Sequence, residues 1–166
     1  MKIETFITLK NEARRYSKGV VTVEFAFVIV LFLLIIAGIF GFGRTFWYAD
    51  ALTKSTRDGA RLLSTWPKAS INSVGIDAAL TITANSANAA NISPQLVATT
   101  HVQAVCLDSA FATVACVDGV TPINVRVSIT GFSVMLGEWF PFISTTGVIN
   151  YGIVNLSPHT TMRYMN

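Results

Sequence analysis

The sequence predicts an α+β fold, in which a long apolar N-terminal helix precedes a small domain with a second helix and a short antiparallel sheet. The helix is indicated by residues 25–42, which include no ionisable or hydrogen-bonding side chain. The domain is indicated by alternating, strand-like runs in the C-terminal part of the chain. Of the 166 residues, 52% are hydrophobic and only 13% are charged. With a mean hydropathy of +0.54, this composition excludes a disordered protein and argues against a purely soluble enzyme.

Residues 20–42 are the predicted membrane span. As a helix they measure about 34 Å at about 1.5 Å per residue, enough to cross a hydrocarbon core of about 30 Å. Five Lys or Arg and two Glu precede the span, whereas the charges from Arg44 to Arg61 are mixed. This bias predicts a single-pass protein with a cytoplasmic N-terminus and a C-terminal domain outside the cytoplasm. The apolar run exceeds that of a secretory signal peptide and no small-residue cleavage site follows it, so we expect the span to remain in membrane lipid.

Small and aromatic residues mark the second half of the span. Ala37 and Gly41 form a small-xxx-small pair, which permits close packing of a second helix, although glycine is also common in membrane helices without such a role. Residues 46–48 (Phe-Trp-Tyr) lie where an aromatic belt would meet the far interface.

The helical period continues beyond the membrane and predicts one helix from about Val20 to Thr65, ending before Pro67. Asp50 and Lys54 form a favourable i,i+4 pair on one side. The opposite side carries the stripe expected to pack against the domain: Phe42, Phe46, Ala49, Thr53, Thr56, Ala60 and Leu63.

Residues 67–166 are predicted to form the α+β domain. Residues 71–90 have the spacing of a second helix, and residues 96–106 that of a strand with Thr100 and His101 on opposite faces. Residues 113–117 and 123–130 flank Asp118-Gly119, which predicts a β-hairpin. Residues 148–156 are a further strand candidate.

Cys106 and Cys116 are the only cysteines. Outside the cytoplasm such a pair favours a disulfide, which would contribute roughly 2–3 kcal/mol for a short loop. The alternative is two reduced, buried thiols. Two cysteines at this spacing supply too few ligands for a metal site.

The sequence gives no indication of catalysis, of a cofactor or of nucleic-acid binding. His101 and His159 are the only histidines, and neither lies in a motif with a nucleophile or metal ligands, so we interpret both as surface residues. No basic stripe interleaved with aromatic residues follows the span, as nucleic-acid binding would require.

Glu24 is an acidic residue in the first turns of the apolar run. A carboxylate within a membrane is costly and is a functional candidate that needs a cationic partner. The alternative is that it lies near the interface, where the helix dipole and lipid headgroups tolerate its charge.

Residues 18–26 (Lys-Gly-Val-Val-Thr-Val-Glu-Phe-Ala), set before a long apolar run, resemble the class III signal of type IV pilins and pseudopilins. Residues 42–61, with Phe-Gly-Arg at their start and Thr-Arg-Asp-Gly-Ala-Arg at their end, are similar to the TadE-like proteins of tight-adherence (Tad/Flp) pilus systems. Together these motifs cover about a third of the chain.

The resemblance implies a pilin-like protein of the bacterial inner membrane. A prepilin peptidase would cut between Gly19 and Val20 and remove residues 1–19, a basic cytoplasmic leader, from the helix of residues 20–66. Glu24 and Phe25 would act in subunit assembly, with the Glu24 carboxylate paired to the new Val20 amine of a neighbouring subunit. The expected partners are this peptidase, other pilins or pseudopilins and the pilus assembly platform.

Two other functions remain open at this point. An unprocessed, signal-anchored binding or adhesion module of the cell envelope would not depend on Gly19. A membrane-tethered enzyme would lose activity when His101 or His159 is changed.

Overall fold

The structure, a computed structural model, describes residues 3–135 and 152–166, with side chains from residue 19 onward. Its first element is a single long helix, α1 (Ile3–Ser64). The helix ends where the sequence predicts, just before Trp66-Pro67. It begins at Ile3, earlier than the predicted start at Val20. The residues before Gly19 include no proline or glycine, and their helix propensity is adequate. The predicted fold class, a long apolar helix followed by mixed α and β structure, is confirmed.

The chain divides into two compact units, residues 1–41 and residues 42–166. In the second unit, α1 contributes the central stripe of the core. Tyr48, Leu52 and Leu63 are buried, as are the smaller residues Ser55, Thr56 and Ala60. The sequence placed this stripe in the wrong register at its start, because Phe42 and Phe46 expose 63% and 74% of their surface. The packed face begins with Tyr48 instead, four residues before Leu52 on the same side of the helix.

The second helix, α2 (Ile76–Asn88), confirms the helix predicted over residues 71–90. It starts later than predicted, because Lys68–Ser70 forms a 3₁₀ turn and Ile71–Gly75 a π-helical turn. Four small residues face the core: Ala79, Thr83, Ala84 and Ala87.

Four antiparallel strands form the main sheet, in the order β2-β1-β3-β6. These are β1 (Val102–Leu107), β2 (Thr113–Val114), β3 (Asn124–Ile129) and β6 (His159–Arg163). The predicted hairpin across Asp118-Gly119 is wrong, because β2 and β3 lie on opposite sides of β1 and each pairs with it. The turn itself is present, with Gly119 at a φ of 86°.

Two shorter strands, β4 (Phe132–Met135) and β5 (Ile153–Leu156), pair in a separate antiparallel sheet. β5 is the end of the strand predicted over residues 148–156, whose first four residues lie outside the described residues. In the strand predicted over residues 123–130, Val125, Val127 and Ile129 are fully buried, as alternation requires, whereas Ile123 is exposed and Asn124 is buried.

The strand predicted over residues 96–106 is shorter than expected. Residues Ala98–His101 form a single helical turn, and β1 starts at Val102. The turn is held by His101, whose Nδ1 accepts a hydrogen bond from the Val97 N–H at 3.0 Å. His101 is therefore not on a strand face, and His159 is the first residue of β6.

Candidate processing and assembly segment

The apolar part of α1 is exposed along its length. Val20, Phe25 and Phe27 expose 56%, 63% and 74% of their surface, and Phe40 exposes 70%. The helix is long and apolar enough to cross a membrane. Within residues 19–41 only a few small or aliphatic side chains are even half-buried. Apolar area of this extent is favourable against lipid or other helices, and the length and composition of the segment suggest membrane anchoring.

Gly19 and Val20, the predicted processing site, lie at the start of this exposed segment. A Cβ added at Gly19 would meet no described atom within 4 Å, and Val20 is exposed. The space around the bond between them is open within the described residues.

Glu24 lies one helical turn after Val20, on the same face of α1. The carboxylate is exposed and forms no hydrogen bond or ion pair with the side chains described from residue 19 onward. Phe25, beside it, is also exposed. The chain therefore supplies no described partner that would offset the cost of placing this charge among apolar residues.

Ala37 and Gly41, the predicted helix-packing pair, are one turn apart on a single face. Both are half-buried, as is Gly38 next to Ala37. A Cβ added at Gly38 would meet no atom within 4 Å, so the helix surface beside Ala37 has room for a second helix to approach.

The aromatic residues after the apolar run have separate roles. Phe46 and Trp47 are exposed, and the indole Nε1 of Trp47 donates a hydrogen bond to Ala90 O at 3.1 Å. Tyr48 is buried and is not part of an exposed aromatic belt, which corrects the prediction at this position. Its ring meets Phe132 edge-on at 6.2 Å, and its hydroxyl accepts a hydrogen bond from Arg44 Nε at 2.8 Å.

The charged residues in the second half of α1 remain at the surface. Lys54 Nζ lies 2.6 Å from the Asp50 carboxylate, as the i,i+4 spacing predicted. Arg57, Asp58 and Arg61 are also exposed. These charged side chains are solvated at the surface of α1.

Gly59, between those charges, sits where α1 meets α2. A Cβ at this position would overlap Thr83 Oγ1 and would lie 3.1 Å from Ala79 O. Sequence reasoning did not single out Gly59, although an isolated glycine amid a strong helical pattern is a signal for close packing.

Cys106 and Cys116 are joined by a disulfide in the structure, with their Cα atoms 5.3 Å apart. The bond closes the loop that leads from β1 to β2 and beyond. Inside the loop, Asp108 Oδ1 accepts hydrogen bonds from the backbone N–H groups of Ala110 and Ala112. The loop is thus fixed by both covalent and polar contacts.

Asp118, two residues after Cys116, contacts the segment that precedes α2. Its Oδ1 accepts hydrogen bonds from the backbone N–H groups of Asn72, at 2.6 Å, and Ser73, at 3.3 Å. The Asn72 hydrogen bond holds the pKa of the Asp118 carboxyl below its usual value. Next to it, Gly119 N donates to Lys68 O at 2.8 Å.

The C-terminal residues cover the end of α1. The Tyr164 hydroxyl donates a hydrogen bond to Trp66 O at 2.5 Å, and Met165 N donates to Ser64 O at 2.9 Å. Burial raises the pKa of Tyr164. This contact joins residues far apart in sequence, and sequence reasoning did not identify it.

No group of three or more His, Cys, Asp or Glu is placed to hold a metal ion in residues 19–135 and 152–166. His101 is half-buried and His159 is exposed. The Nδ1 atom of His101 already accepts a hydrogen bond from the Val97 N–H.

Comparison with known proteins bears on the N-terminal part of the chain. Residues 19–61 match the family model of TadE-like proteins. No curated protein and no solved structure matches the chain significantly. The matched segment begins at Gly19 and runs through the exposed apolar helix to the charged residues around Gly59. Over residues 19–61 the chain is therefore similar to TadE-like proteins, as its motifs indicated, and this similarity supports a component associated with Tad pilus systems.

Proposed function

We propose that this chain is a minor pilin or pseudopilin of a Flp-type pilus, released from its leader by a prepilin peptidase that cuts between Gly19 and Val20. It acts as a structural or assembly component and not as a catalyst. Its helix spans the bacterial inner membrane, with the N-terminus in the cytoplasm and residues 67–166 outside it.

The exposed apolar surface of residues 20–41 is the observation that carries this proposal. A helix of a soluble protein would bury such a surface against its own fold, whereas phenylalanines 25, 27 and 40 here are largely exposed. An assembly subunit needs this surface twice, first against lipid before incorporation and then against neighbouring helices. The TadE-like match covers the same segment.

Glu24 fits an assembly role for an electrostatic reason. Its carboxylate lacks a partner among the described side chains, and cleavage before Val20 would create a free amine one turn away on the same face. A neighbouring subunit would bring its own amine to this carboxylate. Pairing the two charges in a low-dielectric environment would offset their desolvation and fix the axial position of each subunit.

The experiment that tests the proposal compares two glycine variants in cells with and without an active prepilin peptidase. Gly19 and Gly43 both lie in α1, and a Cβ added at either would meet no described atom within 4 Å. We expect Gly19→Val to abolish cleavage because it alters the residue at the cut, while Gly43→Val is cleaved like the parent chain.

The readout is the N-terminal sequence and the intact mass of the purified membrane protein. Full-length protein in both variants and in the parent chain, despite an active peptidase, would contradict the proposal and favour an unprocessed envelope anchor.

A further inference from the structure

The strand β6 forms one edge of the main sheet. It pairs with β3 on one side, and no other described strand pairs with it. Ile129 N donates a hydrogen bond to Pro158 O, and Tyr164 N donates one to Ile123 O. Because hydrogen-bonded positions alternate along an antiparallel pair, the even-numbered residues from 158 to 164 turn their backbone groups toward β3.

The odd-numbered residues of β6 are His159, Thr161 and Arg163. Their backbone N–H and C=O groups point to the open side of the strand and form no hydrogen bond with another described residue. A row of such groups is a template on which a second extended chain pairs through its own backbone.

The two faces of β6 carry different side chains. Thr160 lies on the core face, since its Oγ1 is 2.9 Å from Thr56 Oγ1 of α1. Met162 lies on the same face and is half-buried. The odd-numbered side chains therefore lie on the opposite, outer face of the sheet.

The outer face of the sheet is basic at this edge. Arg126 of β3 lies opposite Thr161, and its Nε donates a hydrogen bond to Thr161 Oγ1 at 3.0 Å. This bond holds the guanidinium group over β6, toward the open side. Arg163 and His159 are exposed on the same face. The other outer-face residues of β1 and β3 are all uncharged: Gln103, Val105, Leu107, Asn124 and Ser128.

Arg57 of α1 adds a positive charge on the core side of the same edge. It precedes Ser64 by two helical turns and lies on the same side of α1, and Ser64 O accepts a hydrogen bond from Met165 N just after β6. Asp50, two turns before Arg57, is already paired with Lys54. The positions three and four residues from Arg57 include no acid: Thr53, Lys54, Ala60 and Arg61.

We propose that the open edge of β6 binds an extended segment of a different protein, in which acidic residues alternate with apolar ones. The segment adds to the sheet as a further strand, and its backbone bonds the odd-numbered residues of β6. Its carboxylates lie on the outer face and accept hydrogen bonds from Arg126 and Arg163. Its apolar side chains lie on the core face and cover Met162.

The same charges argue against a second copy of this chain as the occupant. Two β6 strands paired antiparallel about Thr161 would set the two Arg126 guanidinium groups side by side on the outer face. Positive charges at a strand edge disfavour such self-pairing. The contact therefore joins this chain to a different protein, which agrees with a minor subunit and does not depend on cleavage of the leader.

The test measures the binding of synthetic peptides to the full chain in a non-ionic detergent, by fluorescence anisotropy. The probe is a short labelled peptide in which glutamate and valine alternate. We expect this peptide to bind, and Arg163→Glu to weaken its binding about tenfold, because like charges then face each other. Lys68→Glu, which reverses an exposed charge outside the sheet, should bind like the parent chain.

Two further peptides separate strand addition from simple charge attraction. One has lysine in place of glutamate and should not bind. The other has the same composition as the probe but carries its glutamates in one block. It should bind about tenfold more weakly, because a strand then turns half of these carboxylates to the core face.

Hydrogen exchange, followed by NMR on the full chain, detects the new backbone bonds. The bound peptide should slow exchange at the N–H groups of His159, Thr161 and Arg163, whereas those of Thr160 and Met162 already face β3 and should change little. Thr161→Pro removes an N–H on the open side and should also weaken binding, whereas Thr161→Ser keeps this group and should bind normally.

Three results would overturn the inference. Equal binding of the glutamate and lysine peptides, or of the parent chain and Arg163→Glu, would remove the charge match. Binding without slower exchange at the odd-numbered residues would exclude strand addition, and no binding of the probe would exclude the site. The proposed function is unaffected by any of these results, since its own test is cleavage before Val20.

Discussion

Gly59 shows how one residue sets the distance between two elements. It lies within the charged motif of α1, but its own position is buried against α2, where Thr83 Oγ1 occupies the space of a Cβ. Of its two neighbours in the motif, Asp58 is exposed and Ala60 is fully buried. The motif therefore combines residues that hold the fold with residues that face outward.

We expect Gly59→Ala to destabilise the domain by about 1–3 kcal/mol, because α2 must move to admit the methyl group. Gly43→Ala is the matched control, since no atom lies within 4 Å of its added Cβ, and it should be neutral or stabilising by about 0.5–1 kcal/mol. Urea unfolding followed by circular dichroism measures both. Adding Thr83→Ala to Gly59→Ala should recover stability, and a double variant no better than Gly59→Ala would contradict the assigned contact.

At Glu24 we expect removal of the charge to prevent subunit incorporation. Glu24→Gln retains the shape of the side chain but loses the ion pair proposed with a neighbouring amine. Leaving that amine unpaired among apolar helices costs about 3–5 kcal/mol. The measurement is the fraction of the protein that sediments with sheared pili. Asp50→Asn, which neutralises an exposed carboxylate, should incorporate normally, and normal incorporation of Glu24→Gln would argue against the pairing.

Tyr164 should make the domain sensitive to alkaline pH. Burial raises the pKa of its hydroxyl above the ordinary value near 10. The folded state therefore favours the protonated form, and this stabilisation is complete below about pH 10 and is lost as the pH rises through the folded-state pKa. Thermal unfolding at pH 8 and at pH 11 tests this, with Tyr164→Phe as the comparison. The parent protein should lose more stability than the Tyr164→Phe variant between these two pH values. Equal losses would contradict the role given to ionisation of Tyr164.

Among the structural elements, the disulfide loop has the most direct energetic test. Closing a loop between cysteines 10 residues apart restricts the unfolded chain, and this contributes about 2–3 kcal/mol. We expect reduction, or replacement of both cysteines by alanine, to lower the free energy of unfolding by that amount while β1 and β3 stay paired. Chemical denaturation with and without reductant measures the change. No difference between the two conditions would show that the bond does not stabilise the fold.

The elements also show which features a sequence pattern can predict. The apolar run and the alternation of residues 125–129 in β3 depend on residues close in sequence, and both were predicted correctly. The hairpin prediction failed because Asp118-Gly119 specifies a turn but not which strands pair, and β1 inserts between β2 and β3. The strand β6 was not predicted, because its His-Thr-Thr-Met-Arg sequence lacks alternation and its pairing with β3 is long-range.

The register of the packed face of α1 could not be predicted for a similar reason. Phe42 and Phe46 fit an apolar helical stripe as well as Tyr48 and Leu52 do. Which stripe is buried depends on where the sheet lies, since Tyr48 packs against Phe132 of β4. The candidate site depends on one local motif that contains Gly19, Val20 and Glu24, and the roles of these residues stay predictions.

At the scale of the whole molecule, the chain joins an exposed apolar helix to a folded domain with its own core. Such a division suits a subunit whose helix changes its surroundings from lipid to other helices while its domain stays folded. The domain has internal supports that do not involve residues 1–41, including the disulfide and the Tyr164 contact to Trp66. The N-terminal segment therefore carries the assembly role in this account.

The N-terminal sequence and intact mass of the protein isolated from its native envelope test this account most directly. We expect a chain that starts at Val20 and lacks residues 1–19. A chain that still starts at Met1, in cells with an active prepilin peptidase, would contradict it.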